Sequence, residues 1–184
     1  MIGPIHNWVF NKIKFQESEV AELLQLSDGL NVDAAGVVEE GNLSDFPQIT
    51  NIHGFLQQRI IFTEQRLALA VETLLEKGIS LDTIKTTLYN FGKNHAIEAS
   101  LNASEAYKKL GTLLVNGMPC DRVETLLSDN TDEVTYQENT DIHSTYWTNK
   151  ALYQELKDVL IEGLLSQTSL QYSHSDKLFT IKEK

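Results

Sequence analysis

The stretch from about 51 to 77 constrains this chain most. Ile52, Leu56, Ile60, Leu67, Val71 and Leu74 recur three, four or seven residues apart. On a helix of 3.6 residues per turn they form one apolar stripe that must be covered. Phe55, Ala70 and Leu75 widen the stripe, and Gly78 suits a left-handed stop after it. A second stripe starts at Pro4, which fits a first helical position, and runs through Ile5, Trp8, Val9, Ile13, Val20, Leu23 and Leu24 towards Gly29. Its spacing slips between Phe15 and Ser18, so that segment reads as a kinked helix or as two helices.

More helices follow. Ser80 is placed to cap a short one carrying Leu81, Ile84, Leu88 and Phe91, which Gly92 interrupts. Another is expected over about 94–116, with a soft spot at Asn102 and an end at Gly117. Pro119 opens a further short helix through Val123, Leu126 and Leu127. The period then changes. Around 132–138, Val134 and Tyr136 alternate with polar residues, as a half-buried strand requires. A long helix is expected over about 144–166, with Trp147, Ala151, Leu152, Leu156, Val159, Leu160 and Leu164 inward and a capping oxygen from Thr140-Asp141. The tail alternates on both sides of Ser173-His174-Ser175-Asp176 and reads as a hairpin, with Phe179 and Ile181 on one face. Between the first two helices, residues 30–48 read as a long loop, with a short strand at most near Ala35–Val38. The pattern is that of an α+β fold: a mostly helical single domain over 1–184, packed on a small antiparallel sheet that includes the C-terminal hairpin.

Charge narrows the partners. With 26 acidic and 15 basic residues the formal net charge is −11. Such a surface repels phosphate backbones and anionic lipid, so no nucleic acid and no membrane partner is expected. The first residues lack the pattern of a secretion signal and no apolar run approaches membrane-spanning length, so the expected location is the cytoplasm. The single cysteine, Cys120, allows no internal disulfide. Two wide apolar helix faces make a homodimer a further expectation.

No glycine-rich phosphate loop, G-x-S-x-G elbow or H-E-x-x-H occurs. What remains are small clusters. Asp141, His143, Tyr146 and Trp147 sit between the strand and the last helix. A histidine held by a carboxylate can serve as a general base near neutral pH, with the two aromatics lining a pocket mouth; a capped helix start with His143 at the surface is the other reading. Cys120 follows Pro119 at a helix start, where the helix dipole favours thiolate. His95 and Glu98, three apart on a helical segment, would share a face and could contact a ligand or move a proton. The pair occurs once and in the reverse order of di-iron bundle motifs, so no metal site is assigned. The catalytic candidates are His143, Asp141 and Cys120; the ligand-binding candidates are Tyr146, Trp147, His95 and Glu98. The cofactor is left open.

Two stretches carry a resemblance. The passage from Arg66 through Lys77-Gly78-Ile79-Ser80 to Ile84 is similar to the helix–Gly-Ile-Ser–helix passage of the L-2-amino-thiazoline-4-carboxylic acid hydrolase-like family. The ending Ser173–Lys182 resembles that family's terminal hairpin, which the vinyl-reductase-type small-molecule binding domains share. Together they cover about a third of the chain. The resemblance implies the same α+β fold and a hydrolase-like enzyme or binding protein for a small amino-acid-like or heterocyclic compound. The family's cysteines before the last helix and in the hairpin have no counterpart here, where His143 and Leu178 stand. The alternatives are a non-catalytic ligand sensor and a helical interaction protein.

Overall fold

The computed structural model describes residues 2–30, 41–46 and 48–184. Pro4 opens helix α1 (Pro4–Leu24), its missing N–H being one the first turn leaves unbonded anyway. Helix α2 (Ile52–Glu76) starts where Asn51 accepts a hydrogen bond from the Gly54 N–H and stops at Gly78, whose φ of 86° is open to glycine at little cost. Ser80 caps α3 (Leu81–Asn94), and Asn102 and Glu105 cap α4 (Ala103–Leu113) reciprocally at 3.0 Å each way. Strands β1 (Glu124–Asp129) and β2 (Glu133–Glu138) follow, then α5 (Lys150–Leu164), capped by Asn149, and the hairpin β3 (Leu170–Ser175) and β4 (Leu178–Glu183).

The four strands form one antiparallel sheet in the order β1-β2-β4-β3. Val134 pairs with Ile181 and Tyr136 with Phe179, and these four side chains are buried. They meet Leu160, Ile161 and Leu164 of α5 and Ala103, Ala106 and Leu110 of α4 in one core. A second core joins Val20 and Leu23 of α1 to Leu67, Val71 and Leu74 of α2, Ile84 and Leu88 of α3, and Trp147 and Leu156. The apolar stripes of α1 and α2 thus cover each other within one chain. The α+β architecture and the C-terminal hairpin match the sequence reading.

Several boundaries differ. Helix α1 is unbroken through Phe15–Ser18, because Gln16 and Glu19 occupy the buried face where apolar residues were sought. Gly92 lies inside α3: a Cβ there would stand 2.5 Å from the Leu160 carbonyl of α5, so the residue sets a close helix crossing and does not end the helix. Residues 95–101 leave the helical path, and Asn102 starts a new helix. Leu126 and Leu127 belong to strand β1, whose register with β2 shifts between Leu126 and Ser128. That irregularity breaks the two-residue alternation by which a strand is recognised. Asp141 caps a single turn at Ser144–Tyr146, and Trp147 is extended before α5 begins at Lys150. The hairpin turns at Asp176-Lys177, which places His174 in β3 opposite Phe179. The short strand near Ala35–Val38 lies outside the described residues. Among the described residues no helix is long and apolar enough to cross a membrane.

Candidate functional site

The face of α1 that carries Lys12, Gln16 and Glu19, spaced four and three apart, is buried; all three side chains are 5–6% exposed. Glu64 of α2 follows Ile60 by four and precedes Leu67 by three, so it sits on the buried stripe and is 2% exposed. Buried polar groups need partners, and here they find one another. Gln16 Nε2 donates to Glu64 Oε1 at 3.4 Å, and that oxygen lies 3.1 Å from His143 Nδ1. His143 Nε2 is 3.3 Å from Asn116 Oδ1; Asn116 Nδ2 donates to Glu124 Oε2 at 2.9 Å; Tyr107 Oη donates to Glu124 Oε1 at 2.6 Å. The result is a continuous chain from the α1–α2 interface to strand β1.

The chain fixes protons. Glu124 takes the Asn116 amide nitrogen, so the Asn116 oxygen faces the imidazole and His143 Nε2 carries a hydrogen. The hydrogen bond between His143 Nδ1 and Glu64 Oε1 needs a hydrogen on one of those two atoms. The ring stacks on Tyr153, with centroids 4.3 Å apart. Glu64 Oε2 is buried with no hydrogen bond. Nearby, burial and then the charge of Glu64 push the Glu19 carboxyl up to about 8.

Beyond Asn116 the chain reaches a cavity of about 340 Å³ between α1, α4, α5 and the sheet. Leu110, Leu114, Val115, Ile161 and Ile181 give it apolar walls; Lys12, Lys157, Tyr107, Asn116 and Glu124 give it polar ones. Lys12 Nζ sits 4.2 Å from the centre of the Trp8 ring. Burial pulls its ammonium down to about 8, against the attraction of Glu124 and with the repulsion of Lys157. Burial lowers Lys157 as well, against the pull of Glu124. Tyr107 is raised by burial and by its bond to Glu124. A second cleft of about 270 Å³ opens on the other side, where Glu64, Gln57, Asp121, Thr145 and Tyr146 line it.

The residues singled out from the sequence scatter around this centre. His143 is its middle, but buried (1% exposed) rather than at the surface. Its carboxylate partner is Glu64, not Asp141. Asp141 Oδ1 accepts from the His143 and Ser144 backbone N–H groups at 3.0 and 2.9 Å. Desolvation acts to raise this carboxyl, and the Ser144 and His143 hydrogen bonds outweigh it and hold it below the usual range. Tyr146 is half-buried on the second cleft. Trp147 packs into the core with its indole N–H unbonded. Cys120 is exposed in a three-residue turn, 3.8 Å from Asp121 Oδ1, so the helix dipole invoked for it is not there. His95 and Glu98 share no helix: His95 ends α3, donating from Nδ1 to the Phe91 carbonyl at 2.9 Å, and Glu98 pairs with Lys109 on the surface at 3.3 Å. Among the described residues no group of three or more His, Cys, Asp or Glu could hold a metal ion.

Glu64, Gln16, Glu19, Asn116, Glu124, Lys12 and Lys157 were not foreseen. The seven-residue gap between Ile60 and Leu67 was the signal for Glu64, and the slip in α1 the signal for Gln16 and Glu19; Lys12, Asn116, Glu124 and Lys157 carried none. Comparison of the chain with known protein families, with curated proteins and with solved structures finds no match.

Proposed function

We propose that this protein binds a small organic molecule in the 340 Å³ cavity between α1, α4, α5 and the sheet. The observation that carries the reading is the cavity's make-up: apolar walls with a few converging polar groups, at a volume ordinary for small-molecule sites. The family resemblance of the Arg66–Ile84 and Ser173–Lys182 stretches points to the same class of ligand, a small amino-acid-like or heterocyclic compound. The test compares the native and denatured masses of the purified protein and follows its Tm across a small-molecule panel. Mass lost on denaturation, or a Tm rise that grows with ligand concentration, is expected. A bare native mass together with no shift from any compound contradicts the reading.

A second reading, a hydrolase-like enzyme, draws on the 270 Å³ cleft. There Glu64, hydrogen-bonded to His143, lines the cleft beside Tyr146 and is its candidate proton acceptor. Turnover of an identified substrate unchanged by His143→Asn would remove it.

A further inference from the structure

Three lysines line the main cavity: Lys108 pairs with Asp129 at 3.5 Å and donates to Ser104, whereas Lys12 and Lys157 have no hydrogen-bonded acceptor among the described residues. Lys12 is 5% exposed, faces the cavity and rests only on the Trp8 ring. Lys157 is half-buried, borders the same cavity and lies 5.7 and 5.6 Å from the Tyr153 and Phe179 ring centres. One carboxylate, Glu124, shares the wall, and its two oxygens are already bonded by Tyr107 and Asn116. With Lys108 paired to Asp129, Lys12 and Lys157 face a wall with one carboxylate, so the lining carries more lysines than carboxylates in a chain whose net charge is −11. An unpaired buried cation is costly, and nothing in the apolar packing of α1 or α5 requires a lysine there. A methionine of similar length would fill either place.

We propose that the cavity selects a small amphiphilic anion: an apolar body against Leu114, Val115 and Ile161, and a singly charged oxyanion head (carboxylate, sulfonate or phosphate diester) between Lys12 and Lys157. The proposal rests on the binding reading above and adds the charge of the ligand to it. The head satisfies both ammonium groups with charge-assisted hydrogen bonds in a poorly hydrated place, where such bonds are strongest. The Asn116–Glu124–Tyr107 side of the cavity repels a second negative charge, which favours a monoanion over a dianion.

The experiment uses two fluorescent probes that share a body. 1-Anilinonaphthalene-8-sulfonate carries an anionic head, and N-phenyl-1-naphthylamine carries none. Wild type is expected to bind the sulfonate at least tenfold more tightly than the neutral probe. The preference is expected to shrink to near unity in Lys12→Met and in Lys157→Met, and to persist in Lys109→Met, whose lysine pairs with Glu98 on the surface. Each preference is a ratio within one protein, and two separate lysine variants report it, so a folding defect in one does not decide the result. Equal or tighter binding of the neutral probe overturns the anion proposal and leaves the binding reading standing. Binding of neither probe sinks both. Displacement of the sulfonate by millimolar inorganic phosphate would show an ion site with no need for an apolar body and would also overturn the proposal.

Discussion

Lys12 and Glu19 lie on one face of α1, two turns apart, and burial shifts each towards its neutral form. Their effects on stability have opposite signs. Native Glu19 keeps its proton until about pH 8, against a usual value of 4.5. Between those values the native state binds the extra proton, so stability falls as pH rises. Native Lys12 gives up its proton near pH 8 instead of 10.5. Between those values the unfolded chain binds the extra proton, so stability rises with pH; Lys157, lowered by burial, adds to that rise. Asp141 is held low and titrates below this window, and the raised tyrosines Tyr107, Tyr136 and Tyr172 titrate above it. Denaturant unfolding from pH 5 to 10 is therefore expected to show a minimum near pH 8 in the contribution of these two groups. The wild-type minus Glu19→Gln difference isolates the falling limb, and the wild-type minus Lys12→Met difference isolates the rising one. Lys12→Met is also expected to stabilise the protein at pH 7, by roughly 1–3 kcal/mol, because it removes a buried cation without a partner. A loss of stability in that variant would mean that Lys12 is paired in solution. Single residues of this kind were the least legible part of the sequence. His143 stood out by its chemistry, yet its partner Glu64 is 79 positions away and only the fold brings the two together. Lys12, Gln16 and Glu19 did not stand out as a buried face, because lysine and glutamate are seldom buried.

At the scale of elements, two glycines separate local propensity from packing. Gly92 of α3 and Gly163 of α5 meet where the backbones touch: a Cβ at Gly163 would stand 2.3 Å from the Tyr89 carbonyl. Alanine gains about 1 kcal/mol of helix propensity over glycine. It cannot gain it here, since the clash is with backbone that has no rotamer to change. Gly163→Ala is expected to cost roughly 3 kcal/mol or more in urea unfolding, by overpacking. Gly111 of α4 is the control, because a Cβ there meets no atom within 4 Å. Gly111→Ala is expected to stabilise by about 0.5–1 kcal/mol. Two effects of the same sign would refute the close-crossing account. Helices α2, α3 and the start of α1 were readable because caps, stripe and stop agree with one another. Strand β1 was not, because Leu126 and Leu127, 41% and 53% exposed, follow no two-residue alternation across the irregular register. The last helix was read six residues too early, because Asp141 caps a turn that does not continue into α5.

In the whole molecule, α4 and α5 pack on a four-stranded sheet and, with α1, leave a cavity against it. The order of helices and strands was legible, since it depends on periodicity. The cavity was not, since it depends on which helix faces come together; the cluster at 141–147 borders the buried histidine and the second cleft instead. The most direct test of the central claim is the binding stoichiometry of N-phenyl-1-naphthylamine to wild type and to Gly111→Phe. Gly111 lines the cavity and has room for a side chain, so phenylalanine fills space that the ligand needs. The account predicts one probe per wild-type chain and none in the variant, at undiminished stability. Equal binding to both proteins would place the probe elsewhere and contradict the cavity as the site.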